Sequence, residues 1–97
     1  MDKDQAIEIL EKNRAVLKDL YGVDKIGMFG SIVRGELSSS SDIDIVVEIK
    51  KEKKKLHNFL SLKKYLENKL GKPVDLGIES TIKPIVREAI ADEIVYV

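Results

Sequence analysis

Gly30-Ser31-Ile32-Val33-Arg34-Gly35-Glu36, followed by a short polar stretch and then Ser41-Asp42-Ile43-Asp44-Ile45-Val46-Val47, decides how this chain is built. Successive side chains of a β-strand point to opposite faces, so Asp42 and Asp44 share one face while Ile43, Ile45 and Val47 share the other. Two like charges side by side on a strand are unfavourable unless something positive lies between them. A hard divalent cation with oxygen ligands meets that need, and Mg²⁺ is held in this way beside substrate phosphates. The glycine half of the stretch supplies a complement. Gly30-Ser31 closes an apolar run containing Ile26, Met28 and Phe29 and opens a segment with the character of a helical turn. A turn entered through glycine presents free backbone N–H groups suited to phosphate. Ser31 adds a hydroxyl, and Arg34 lies one turn further on, within reach of the same anion. A phosphate cradle beside a carboxylate pair points to nucleotide chemistry.

Upstream, residues 4 to 21 read as one helix, with Ile7, Leu10, Leu17 and Tyr21 on its apolar face and Ala6, Val16 and Leu20 alongside. Asp2 or Asp4 caps its start, and Gly22 suits the left-handed residue past its end. Lys25 to Phe29 is the short strand that leads into Gly30-Ser31. Ser38-Ser39-Ser40-Ser41 is a turn that sets the spacing of the two motif halves. A second strand runs from about Ile43 to Ile49. Leu56, Phe59, Leu62, Leu66 and Leu70 then fall on one helical face, punctuated by Gly71 and Pro73.

Pro73 to Ile78 is a third strand, in which Val74, Leu76 and Ile78 alternate with Asp75. If it neighbours the second strand and both lay their apolar faces on the same helices, Asp75 stands on the side of Asp42 and Asp44. Ser80 or Thr81 caps a last helix with Pro84 in its first turn and Ile85, Ala89 and Ile90 turned inward. Ile94 to Val97 closes the chain as a β-prone tail. The sequence shows no internal repeat and no second domain, and residues 1–97 read as a single domain.

Each candidate has an ordinary reading as well. Asp42 is explicable as a turn or cap residue, whereas Asp44 lies inside the apolar alternation and is not. Asp75 alone suits the solvated face of an edge strand. Ser31 serves equally as an N-cap, the same geometry without a ligand. Arg34 either holds a phosphate or pairs with Glu36 or a site carboxylate and positions the loop. Glu36 reads as structural, His57 as surface, and Tyr21, Tyr65 and Tyr96 as packing residues with a polar tip. The Lys50–Lys55 run reads as a solvated loop rather than a nucleic-acid contact.

Composition narrows the class. Hydrophobic content of 43% and charged content of 35% over 97 residues describe a soluble globular chain with one core. Lys and Arg number 17 and Asp and Glu 17, so no net field draws nucleic acid or an anionic membrane. Direct nucleic-acid binding is not expected. Without cysteine there is no disulfide framework, thiolate nucleophile or Cys-ligated zinc. The N-terminus has no apolar signal region and no run is long enough to span a bilayer, which by default predicts a cytoplasmic protein.

Gly30-Ser31, then Arg34-Gly35-Glu36, then Ser41-Asp42-Ile43-Asp44, with Asp75 on a later strand, resembles the signature of the DNA-polymerase-β-like nucleotidyltransferase superfamily. Shortness and the Arg-Gly-Glu variant are most similar to its minimal nucleotidyltransferases, the antitoxin half of toxin–antitoxin pairs whose toxin is a HEPN-domain ribonuclease. The resemblance covers Ile26 to the end. It implies an α+β nucleotidyltransferase fold, a small mixed sheet with helices packed on one face.

It also implies a function: transfer of AMP from ATP to a hydroxyl, a tyrosine of the cognate HEPN toxin, which is thereby neutralised. Asp42, Asp44 and Asp75 would be the catalytic and metal-holding residues around two Mg²⁺ ions. Gly30, Ser31, Arg34 and Ser41 would bind the nucleotide. Two other readings stand beside this one. The chain could be an antitoxin that blocks its toxin by contact without chemistry, or a transferase acting on a small molecule or RNA. The intact carboxylate set argues against the first, and the lack of an added acceptor-binding domain against the second. Either association, with the toxin or with a second copy, is compatible with the sequence.

Overall fold

A computed structural model describes residues 1–97. Four strands, β1 (Val23–Phe29), β2 (Ile43–Ile49), β3 (Val74–Ile78) and β4 (Val95–Tyr96), form one sheet in the order β3-β2-β1-β4. β1 pairs antiparallel with β2 and β4, and β2 pairs parallel with β3. A parallel pair needs a crossover, and helix α3 (Leu56–Leu70) provides it. With α1 (Lys3–Lys12) and α2 (Arg14–Tyr21) it makes the layer that covers one face of the sheet. Ile26, Met28, Ile43, Ile45, Val47, Val74 and Leu76 meet Ala6, Leu10, Leu17, Leu62, Leu66 and Leu70 there in one buried cluster. A fully buried side chain of this size contributes about 1.5–3 kcal/mol, so this layer dominates stability. The mixed sheet and helix layer are those of the predicted fold.

The opposite face is read off the register. Phe29, Asp44 and Asp75 form one row across β1, β2 and β3, and Gly27, Val46 and Gly77 form the next. Val46 is buried yet stands outside the main cluster. Its neighbours explain why. Ile82 lies over Gly77, and Ile94 over Gly27, where an added Cβ would sit 2.8 Å from Ile94 Cγ2. Gly27 therefore lets the chain that returns from β3 to β4, through α4 (Pro84–Ala91), cross this face closely.

Several local expectations need correction. The helix predicted over residues 4–21 is two helices, broken at Asn13 (φ −104°, ψ 9°). The break has a cause. Asn13 Nδ2 donates to the Ile9 carbonyl at 2.8 Å, and the Tyr65 hydroxyl donates to Asn13 Oδ1 at 2.6 Å. An asparagine that bonds backward to the helix and sideways to α3 competes with continuation of the ladder. The bend leaves Val16 and Leu20 exposed instead of on a shared face. Asp2 is the cap, in a capping box with Gln5, and Gly22 and Gly71 end their helices in left-handed conformation, as expected.

β1 begins two residues earlier than predicted, because Lys50 N–H bonds to the Gly22 carbonyl and extends the β2 ladder. Leu56 is 74% exposed and is not part of the α3 core face. Lys83, not Ser80 or Thr81, precedes α4, since a turn at Glu79–Thr81 intervenes. Ile85 and Ala89 face outward, and α4 buries no side chain fully. Lys50–Lys55 and His57 are exposed, the solvated reading.

Candidate active site

Asp44 is the pivot of the site because β2 is an interior strand. Its register partners are Phe29 on β1 and Asp75 on β3, and in a parallel pair residues in register share a face. Asp75 thus stands beside Asp44, as the alternation of the third strand requires. Asp42 lies one residue ahead of β2 at the same end. The strand ends here, so the three side chains sit where the chain turns away from the sheet.

Burial raises the Asp44 carboxyl above its usual range, with the charges of Asp75 and Asp42 adding to the effect and Arg34 opposing it. Asp42 and Asp75 are exposed. No three acidic or imidazole side chains are drawn together tightly enough to make a preassembled cation cage. The row is therefore a set of donors along a strand end, which a cation would draw together.

Gly30 follows β1 with φ +78°, and a Cβ there would collide with Asp44 Oδ2. Only glycine lets the loop backbone lie against that carboxylate. From Gly30 the chain makes a three-residue turn, Gly30–Ile32, closed by Val33 and Arg34 N–H groups on the Gly30 carbonyl at 3.1 and 3.2 Å. Glu36 N–H returns to the Ser31 carbonyl at 2.8 Å. So short a turn carries little dipole, and what it offers a phosphate is its first backbone amides, which have no partner within the turn. Ser31 is half-buried at that position.

Ser41 points back into its own turn. Its Oγ accepts from the Ser38 N–H at 3.1 Å and lies 2.9 Å from Ser38 Oγ, while Lys72 Nζ holds the Ser38 carbonyl at 3.1 Å. The serine turn thereby fixes where Asp42 enters. Arg34 pairs with Glu36, Nε to Oε2 at 3.3 Å, one of the two roles its position allowed. It also pairs through Nη1 with Glu93 Oε1. Glu93 was not among the candidates, and it raises the Asp44 pKa further.

The donor set suits a hard divalent cation. Asp42, Asp44 and Asp75 offer only carboxylate oxygens, no thiolate or imidazole competes, and the repulsion at Asp44 is of the kind a cation relieves. The largest cavity, about 360 Å³, lies elsewhere, between the N-terminal turn and residues 32–35, and contains none of the three aspartates. The row itself is open at the surface.

A glycine turn against a carboxylate row at one end of a β3-β2-β1-β4 sheet defines a class, and the chain belongs to the nucleotidyltransferase domain family, whose model matches residues 10–97. The protein adenylyltransferase MntA of Thermococcus cleftensis is 42% identical over 89 residues, 92% of this chain and 89% of that protein. A Methanocaldococcus jannaschii protein assigned as a protein adenylyltransferase is 42% identical over 92 residues, covering 93% and 92%. A solved structure assigned as a minimal nucleotidyltransferase superposes with a TM-score of 0.76 at 31% identity, over 98% of this chain and 95% of that one. A toxin–antitoxin structure with AMP-PNP shares the fold, with a TM-score of 0.70 at 21% identity over 99% and 72%. No helix is long and apolar enough to cross a membrane.

Proposed function

We propose that this chain transfers AMP from ATP to a hydroxyl on a partner protein, and that the acceptor is a tyrosine of a HEPN-domain ribonuclease toxin, which the transfer neutralises. The observation that carries the reading is the register of Asp44 with Asp75 directly beside the Gly30 turn. The names of relatives near 42% identity, protein adenylyltransferases, support the nature of the acceptor.

In the reaction the acceptor hydroxyl gives up its proton to solvent, its oxygen attacks the α-phosphorus in line to form a new O–P bond, and the bond to the β-phosphate breaks with release of pyrophosphate. Backbone of Gly30 and Ser31, with Arg34, would hold the leaving phosphates and fix the line of attack. Asp42 and Asp44 would hold Mg²⁺ against the triphosphate, and Asp75 would hold it on the acceptor side. When bound there, Mg²⁺ neutralises developing charge on the phosphates and makes the acceptor a better nucleophile. Because Asp42 and Asp75 are exposed, the acceptor approaches from outside the domain. A macromolecular partner fits such an open row better than a small molecule, which needs enclosing walls.

The test is incubation of the chain with ATP labelled at the α-phosphate, Mg²⁺ and the cognate toxin. Label should appear on toxin protein. Neutralised toxin with all label left in free nucleotide would establish the contact-only antitoxin instead.

A further inference from the structure

Arg34 is gripped at two points that lie far apart in the chain. Glu36, two residues away, takes Nε, and Glu93, on the turn between α4 and β4, takes Nη1. Nη2 makes no hydrogen bond within the protein, so its two N–H donors stay free between the two gripped nitrogens. The two grips are unequal. The Glu93 side chain is 23% exposed against 63% for Glu36, and an ion pair withdrawn from water is screened less.

Glu93 also stands on a firm base. Its N–H donates to the Ile90 carbonyl at 2.9 Å, the next N–H donates to the same carbonyl at 3.1 Å, and the Ile94 side chain is seated on Gly27. A fourth carboxylate close to the aspartate row is unfavourable by charge alone, as its effect on Asp44 records. Arg34 is its compensating partner. If Arg34 swung wholly onto a bound phosphate, Glu93 would be left unpaired beside the row and facing the triphosphate. Keeping the ion pair while the free Nη2 meets phosphate avoids that cost.

We propose that Glu93 is a positioning residue for nucleotide binding, locking Arg34 so that its free Nη2 meets the terminal phosphates of a nucleoside triphosphate lying over the Gly30 turn. The inference rests on the nucleotide-binding reading of Arg34. It makes the C-terminal return of the chain part of the site, although no residue of that return touches the reacting atoms. A merely structural tie between loop and C-terminal segment would act differently, disturbing the fold and every ligand alike.

Calorimetric affinities for ATP·Mg²⁺ and for AMP separate the two, measured on the wild type, Glu93→Gln, Glu93→Asp, Arg34→Ala and the Arg34→Ala/Glu93→Gln pair, with a melting curve for each. Glu93→Gln should weaken ATP·Mg²⁺ binding roughly tenfold and leave AMP within about twofold, with melting unchanged, since coupled groups in one network interact on this scale. Glu93→Asp, which keeps the charge, should recover part of the loss. The double variant should bind no more weakly than Arg34→Ala, because Glu93 acts only through that arginine. Wild-type ATP·Mg²⁺ affinity in Glu93→Gln, an equal loss for ATP and AMP, or additive losses in the pair would each overturn the proposal. Arg34→Ala with undiminished ATP·Mg²⁺ affinity would overturn it too, while leaving the label-transfer result, and hence the assignment of activity, standing.

Discussion

Asp44 sits where its charge is least comfortable, and that makes its contribution to stability depend on pH in a definite direction. Burial, Asp75 and Asp42 raise its folded pKa above the unfolded value of about 3.9. Folding therefore favours the protonated form. The contribution is fullest below the unfolded pKa and is lost as pH rises through the folded one. Without a cation at pH 7, the ionised side chain works against the fold. Asp44→Asn should raise the melting temperature of the metal-free protein at pH 7 by about 2–4 °C, corresponding to roughly 0.5 kcal/mol for a partly solvated group. The gain should shrink toward pH 4, and added Mg²⁺ with ATP should no longer shift the melt. A variant that melts below the wild type at pH 7 would contradict the electrostatic picture. Asp44 was legible in the sequence because a charge inside an alternating apolar run demands an explanation. Glu93 was not. Ala91-Asp92-Glu93 looks like any polar turn, and its meeting with Arg34 arises only when the chain recrosses the sheet.

At the scale of elements, β2, α3 and the left-handed glycines after α2 and α3 followed from periodicity and punctuation, which are local. The break at Asn13 did not, because its hydrogen bond from Tyr65 joins residues 52 positions apart. The outward turn of Ile85 on α4 escaped for a related reason: an apolar residue in a helix predicts a covered face but not what covers it. β4 is only two residues long and is held by side chains as much as by its ladder. The Tyr96 hydroxyl donates to Glu79 Oε1, and Lys25 Nζ reaches Glu79 Oε2 at 3.2 Å while lying 4.4 Å from the Tyr96 ring centre. The hydrogen bond from Tyr96 lowers the Glu79 pKa, helped by Lys25 and resisted by burial. A depressed folded pKa means stability that is present above the unfolded value of about 4.3 and lost as pH falls through the folded one. Glu79→Gln should accordingly melt below the wild type at pH 7, by well under 1 kcal/mol for so exposed a clasp, and the gap should close as pH falls through the folded pKa. A gap that persists below that pKa would show that packing, not charge, holds β4.

Across the whole molecule, one face of the sheet is sealed by α1, α2 and α3, and the other carries the aspartate row beside a thinly covered return of the chain. Apolar side chains remain uncovered on both flanks, Leu56 at 74% and Ile85 at 75% exposed, with Val86 and Tyr96 near half. Where such side chains form a contiguous patch they mark an interaction surface, and association is the property that tests for one. Light scattering of the chain alone and with the proposed toxin partner should reveal association in at least one case. A chain that stays strictly monomeric in both would remove this reading of its surface. The pairing of β2 with β3 was within reach of the sequence, since α3 between two β-prone runs calls for a parallel pair and Asp75 then falls beside Asp44. The closing strand on the far side of β1 was not, because nothing local says which edge a two-residue strand joins.

The claim on which everything else depends is that Asp44 and Asp75 belong to one site but to different steps. Asp42 and Asp44 would bind the nucleotide's cation, whereas Asp75 would act chiefly on the acceptor side, in the transition state. Single-turnover transfer to the partner protein, measured beside calorimetric ATP·Mg²⁺ affinity in Asp75→Asn, tests this directly. The expected result is affinity within a few-fold of the wild type, transfer reduced by roughly a hundredfold or more, and an unchanged melt. Transfer at the wild-type rate would make Asp75 an ordinary surface residue of an edge strand and would contradict the three-carboxylate site.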